Sequence, residues 1–136
     1  MARRWTRGLL AIGALAVMAG AAGLAAEVAQ ERREIRTKAA ALTGGDPEAG
    51  RGAVKRYGCG GCHAIPGVTA ARGRVGPPLA GFASRAYIGG VAVNTPQHLV
   101  EWIKDPKAFD PRTAMPNVGA THADARDMAA YLYTLD

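Results

Sequence analysis

Cysteine occurs only twice in these 136 residues, and both copies fall in one pentapeptide, Cys59-Gly60-Gly61-Cys62-His63. This spacing constrains the chain more than any hydrophobic pattern in it. A disulfide across so short a loop removes little chain entropy, so a purely structural bridge explains the pair poorly. A zinc site needs four ligands in two pairs, and the sequence has neither a second cysteine pair nor a paired histidine. A thioredoxin-like site needs a strand–helix setting and does not use a histidine in this place. The reading that remains is attachment of c-type haem. Residues three apart share one face of a helical turn, so two thiols can meet the two vinyl groups on one porphyrin edge. The adjoining histidine then reaches the iron.

Composition agrees that something must be added to the core. Half of the chain is apolar, but much of that is alanine, and only two Phe, two Trp and four Tyr supply large side chains. A small domain with so few bulky residues is marginal without a cofactor, metal or disulfide. The net charge of +6 divides into +3 over residues 1–26, +1 over 27–45 and +2 over 46–136. The last part carries no basic stripe with interleaved aromatics, which argues against nucleic acid as a partner.

Arg3, Arg4 and Arg7 precede an uncharged run of nineteen residues, Gly8 to Ala26. That is the layout of an export signal, with Gly23-Leu24-Ala25 as a small-x-small cleavage site. The run is also long enough to be retained as a membrane anchor. Residues 1–26 are therefore expected to be a signal peptide or an N-terminal anchor, with the remainder on the periplasmic side. Residues 27–45, charged and Ala-rich, read as a linker outside the core, and 46–136 as the folded domain.

Within that domain, Asp46-Pro47 marks a capped helix start, with Gly50, Ala53, Val54 and Tyr57 on one face. The cysteine motif is expected to close this helix. A Gly- and Pro-rich stretch to Gly90 reads as loop with a short helical turn near Ser84. Thr95-Pro96 opens a second helix with Leu99, Trp102 and Ile103 on one face, stopped at Asp105-Pro106. Thr121 opens the last helix, striped by Met128, Tyr131, Leu132 and Leu135, with Asp124 in a capping-box-like place. No stretch alternates with strand period. The expected class is all-α, with three main helices and long loops wrapped around one covalently bound haem.

The iron needs either a sixth ligand or an open site, and the candidate ligands are His98, His122 and the four methionines, of which Met1 and Met18 fall in the N-terminal segment. Met128 belongs to an apolar stripe and reads as core. His98 and His122 lie on solvated helix positions. Met115 sits in a Pro-bounded polar loop with no evident packing role, which makes His63 and Met115 the expected axial pair. Thioether ligation raises the reduction potential relative to two imidazoles.

The stretch from Gly45 to Asp136 resembles the class I cytochrome c domain. The resemblance is carried by the Gly-Asp-Pro-Glu-Ala-Gly segment, Cys59-Gly60-Gly61-Cys62-His63, Val75-Gly76-Pro77-Pro78-Leu79, Met115-Pro116 and Ala130-Tyr131-Leu132. It looks especially like the cytochrome c domains fused to subunit II of haem–copper oxidases, which share the Ala-Ser-Arg turn, the Asn-Thr-Pro helix start and the Trp-Ile-x-Asp-Pro element. Nothing in these 136 residues corresponds to the copper-binding domain that those proteins carry. The resemblance implies that the first and last domain helices cross near Gly50 and Tyr131. It implies that the Pro77 carbonyl orients His63, and that Arg85, Tyr87 and Trp102 lie near the haem propionates. It also implies one haem c held by Cys59, Cys62, His63 and Met115 in a single-electron carrier, not an enzyme. The partners implied are redox proteins: a dehydrogenase, a quinol-oxidising complex or a terminal oxidase. The alternative is a cytochrome subunit of a larger respiratory complex. Arg72, Arg74, Lys104, Lys107 and Arg112, on loops around the site, are candidates for steering such partners.

Overall fold

The computed structural model describes residues 2–136, with side chains described from Gly13 onward. The side chains of Arg3, Arg4, Arg7 and the start of the apolar run thus lie outside the described residues. Four α-helices follow one another: α1 (Ala2–Thr43), α2 (Pro47–Arg56), α3 (Pro96–Lys104) and α4 (His122–Leu132). The chain divides into two compact units, one ending at Glu34 and the other running Ile35–Asp136.

The first unit is helical, and every side chain from Gly13 to Glu34 is exposed. Leu15, Val17, Met18 and Leu24 are each about two-thirds exposed or more. Such side chains bury nothing against protein.

The second unit begins earlier than the sequence suggests. Residues 27–45 were expected to stay outside the core, yet Ala39 and Thr43, four apart on the last turns of α1, are buried. Thr43 returns its hydroxyl to the Ala39 carbonyl at 2.8 Å, and the Gly45 N–H donates to that same hydroxyl at 3.2 Å. Small side chains let this charged helix end lie flat against its neighbours.

The caps behave as their residue types dictate. Asp46 accepts from the Glu48 N–H, Thr95 from His98 and Thr121 from Asp124, each at the start of its helix. The main packing is α2 on α4. A Cβ at Gly50 would collide with the Asp127 carbonyl and approach the Met128 nitrogen, so the two backbones meet where no side chain fits. The crossing therefore lies about one turn before Tyr131. Tyr131 instead donates its hydroxyl proton to the Pro66 carbonyl. The contact is locked at both ends of α2. The Asp46 N–H donates to Asp127 Oδ1 at 2.8 Å, while Arg56 and Tyr57 both donate to Asp124, at 2.6 and 2.8 Å. Helix α3 closes the core with Leu99, Val100, Trp102 and Ile103 buried against Val54, Ala125, Met128 and Leu132.

Three local details differ from expectation. The cysteine motif does not close α2; that helix ends at Arg56 and Cys59–Gly61 forms a separate 3-10 turn. The segment at Ser84 is a turn, not a helix, with the Arg85 N–H donating to the Phe82 carbonyl. A small antiparallel hairpin is also present, β1 (Tyr87–Ile88) with β2 (Ala92–Val93), pairing Tyr87 with Val93 and Ile88 with Ala92. Two-residue strands are too short to show alternation. The class is nonetheless all-α, with helices around a mostly irregular wall.

Candidate haem site

The 3-10 turn sets the geometry of the motif. Its tighter winding eclipses residues three apart, which puts Cys59 and Cys62 over one another. The Cys62 and His63 N–H groups both donate to the Cys59 carbonyl, at 3.2 and 2.9 Å. Neither cysteine is in a disulfide, and both are half-buried. Burial pushes the Cys59 thiol above its usual pKa, with Cys62 adding to the shift against an opposing backbone hydrogen bond. A raised value is the opposite of what an activated thiolate nucleophile requires.

A loop wraps beneath the motif and fixes the histidine. The Gly73 N–H donates to Gly60, Gly76 to Cys62 and Leu79 to Ala64, at 3.1, 2.9 and 2.8 Å. Gly76 passes so close that a Cβ there would sit 2.6 Å from His63 Nδ1. His63 Nδ1 lies 2.7 Å from the Pro77 carbonyl. A carbonyl only accepts, so Nδ1 carries the proton and Nε2 is left with its lone pair. The sequence resemblance implied this contact, and the geometry contains it.

Cys59, Cys62, His63 and Met115 all line one cavity of about 500 Å³. Its walls come from every domain helix: Val54 from α2, Leu99 and Trp102 from α3, Met128 and Leu132 from α4. Met128 thus reaches the cavity as well, but it is 1% exposed and packed into the core on a helix. Met115 is half-buried in a loop, and its Sδ accepts the indole N–H of Trp102 at 3.1 Å. His98 and His122 are not among the lining residues. His98 Nδ1 pairs with the Val93 carbonyl at 2.9 Å, and His122 lies 3.8 Å from Glu101.

Among the described residues, Arg85 is the one charged side chain lining the cavity, and no carboxylate does. Its guanidinium donates to the Pro78 and Ala80 carbonyls and lies over the Phe82 ring. Tyr87 lines the mouth and is 60% exposed. Trp102 also lines the cavity, and its indole N–H donates to Met115. Arg72, Arg74, Lys104, Lys107 and Arg112 are not lining residues. Among the described residues, no three His, Cys, Asp or Glu side chains gather as a metal-binding group. The donor set is therefore two thiols, one imidazole and one thioether around an apolar cleft. That chemistry fits a flat apolar cofactor with an iron centre and an anionic edge.

The family model for cytochrome c matches residues 47–136. The chain belongs to the cytochrome c family. No curated protein and no solved structure gives a significant match. As a cytochrome c the chain is an electron-transfer haem protein, and the family's haem is of the covalently bound c type, with iron. Cytochromes c work with redox partners and are typically extracytoplasmic. Gly76 was legible as part of the Val-Gly-Pro-Pro-Leu segment, though its close approach to the His63 ring was not, and nothing in the residue pattern signalled the Trp102–Met115 bond.

Proposed function

We propose that this cytochrome c is a single-electron carrier that holds one haem c by thioether bonds from Cys59 and Cys62, with His63 and Met115 as axial ligands. The observation that carries this reading is the convergence of these four side chains on one apolar cavity with a single cationic residue, Arg85. Bound there, haem supplies a centre that alternates between ferric and ferrous states. The chain's own residues do the rest. The Pro77 carbonyl holds the His63 proton on Nδ1 and keeps Nε2 free for the metal. Met115 would be the second protein ligand to the iron and would leave no position for a substrate to coordinate, which suits a carrier and not an enzyme. Val54, Leu99, Leu132 and Met128 exclude water, and thioether ligation favours the reduced state.

The carrier works on the periplasmic side of a membrane. Helix α1 contains an 18-residue window with mean hydropathy 1.3, sufficient by length and composition to span a bilayer. Its exposed Leu15, Val17, Met18 and Leu24 have no protein to cover them. Residues 8–26 accordingly serve as an export signal or a retained anchor, and the haem domain takes in the last turns of α1, where Ala39 and Thr43 are buried. Donor and acceptor are respiratory proteins such as a dehydrogenase, a quinol-oxidising complex or a terminal oxidase. Retention of the anchor favours the second reading, a cytochrome subunit docked in a larger respiratory complex, in line with the resemblance to oxidase-fused domains.

Haem staining after denaturing electrophoresis tests the attachment. The wild type retains stain, and the Cys59→Ala/Cys62→Ala double variant loses it. Stain persisting in the double variant would overturn the covalent assignment. Intact mass of the membrane fraction distinguishes a retained α1 from cleavage near Ala26.

A further inference from the structure

Asn94 follows the hairpin directly and closes the segment that begins at Phe82. Its backbone N–H donates to the Ala86 carbonyl at 2.9 Å. Its side-chain amide nitrogen donates to two further carbonyls, those of Phe82 at 3.2 Å and Arg85 at 2.9 Å. Carbonyls only accept, so the amide must present its nitrogen to them and turn its oxygen the other way. That oxygen accepts the Tyr133 hydroxyl proton at 2.8 Å. One half-buried asparagine thus ties three peptide groups of a single turn to the C-cap of α4.

Arg85 stands on the turn held in this way. Its Nη2 donates to the Pro78 and Ala80 carbonyls, which leaves the Nη1 and Nε protons for other acceptors. Phe82 lies beneath the guanidinium at 5.5 Å and meets the Tyr133 ring edge-on at 6.2 Å. Tyr133 therefore supports the turn twice, with its hydroxyl through Asn94 and with its ring through Phe82. Burial pushes its phenol above the usual pKa, so it remains a donor at neutral pH. The Ala83 N–H adds a backbone tie to the Leu135 carbonyl at 2.9 Å. Phe82 and Arg85 line the cavity, whereas Asn94 and Tyr133 stand behind them.

Placement of this guanidinium has an electrostatic consequence. A cation beside the cavity favours the less positive, reduced state of a centre bound there, and its effect falls with distance and with access of water. Arginine has about 2 kcal/mol of rotamer entropy, so an unsupported side chain spreads its charge over many positions. We propose that Asn94 and Tyr133 are positioning residues for Arg85: the amide, oriented by the phenol, fixes the turn from Phe82 to Ala86 and so keeps the guanidinium where it raises the reduction potential. This rests on the reading of the cavity as a haem site.

The test uses the haem-loaded protein and reads reduction potential, the low-spin spectrum and the urea midpoint. Arg85→Gln removes the charge and is expected to lower the potential. Asn94→Ala removes the amide and is expected to lower it in the same direction by a smaller step. Tyr133→Phe keeps the ring on Phe82, loses the proton that orients the amide, and is expected to give the smallest step. The decisive comparison repeats Asn94→Ala and Tyr133→Phe in the Arg85→Gln background. There the potential is expected to stay where Arg85→Gln puts it, while the urea midpoint still falls. Equal potential shifts in both backgrounds overturn the route through Arg85. Asn94→Ala or Arg85→Gln with wild-type potential overturns the proposal outright. If Asn94→Ala does not fold, Tyr133→Phe decides in its place. A wild type without haem stain overturns the haem reading and the proposal with it, whereas a stained wild type whose potential ignores Asn94→Ala overturns the proposal alone.

Discussion

The α2–α4 crossing and the Met115 loop face the same cavity but are held in opposite ways. At the crossing, main chain meets main chain at Gly50, and carboxylates of Asp124 and Asp127 tie both ends of α2. From Lys107 to Ala120 no residue is buried, and the loop is fixed by turns and by one indole N–H. The crossing is held by direct backbone and carboxylate contacts, while the loop that presents Met115 to the cavity is held far more lightly. Elements that must respond to a ligand come from the less stable end of a structure.

The two methionines of the cavity put that division to its sharpest test. Met115→Ala is expected to open the iron to carbon monoxide and lower the potential by something on the order of 0.1 V or more, within the roughly 0.8 V that axial ligands span. Its effect on the denaturation midpoint of the reduced protein is expected to be the lesser change. Met128→Ala is expected to do the reverse. It should cost about 2–5 kcal/mol in urea unfolding as a core cavity forms, with the low-spin spectrum nearly intact. A swapped outcome, with Met128→Ala abolishing the low-spin spectrum, would reverse the assignment of the two side chains.

Substitution at the crossing is the next largest effect. Gly50→Val forces side-chain atoms onto the Asp127 carbonyl, and more than ~3 kcal/mol of stability is expected to go. Circular dichroism melting of the holoprotein measures it. A tolerated valine would mean that the helices are free to separate there.

A smaller gain is expected on the loop side. Ala70 has φ of +65°, the one non-glycine residue with positive φ among those described. Ala70→Gly is expected to relieve this strain and stabilise the protein by about 1 kcal/mol, read as a higher urea midpoint without spectral change.

Acid titration probes the crossing most gently. Hydrogen bonds from Thr121 and Tyr57 hold the Asp124 carboxyl below its usual pKa, with Arg56 assisting. A depressed folded-state value means that the contribution is present above the unfolded carboxylate range and fades as pH falls through the folded value. Asp124→Asn is expected to flatten that part of the stability–pH curve below about pH 4. An unchanged curve would remove Asp124 from the lock.

What was legible in the sequence follows the range of the forces involved. Asp46, Thr95 and Thr121 were readable as helix starts because a cap joins residues two or three apart. Cys59, Cys62 and His63 were readable because their spacing is itself the geometry. Met115 stood out only by having no packing role in its loop, and its bond to Trp102 gave no sign in the pattern. The Tyr57–Asp124 contact joins residues 67 apart, and burial of Ala39 depends on surfaces that a charged, Ala-rich helix does not advertise. The hairpin escaped notice because two residues per strand make no period, although Gly89-Gly90 marked its turn.

The polar groups nearest the cavity are nearly all spoken for by fixed partners. His63 is pinned to a peptide carbonyl, Arg85 to two more, and the Trp102 N–H to a sulfur. None is a free dipole able to swing when one electron arrives or leaves. With a redox centre held in that cavity, such fixed groups would rearrange little between its two oxidation states, and a small reorganisation energy would let a thermoneutral transfer proceed quickly in either direction.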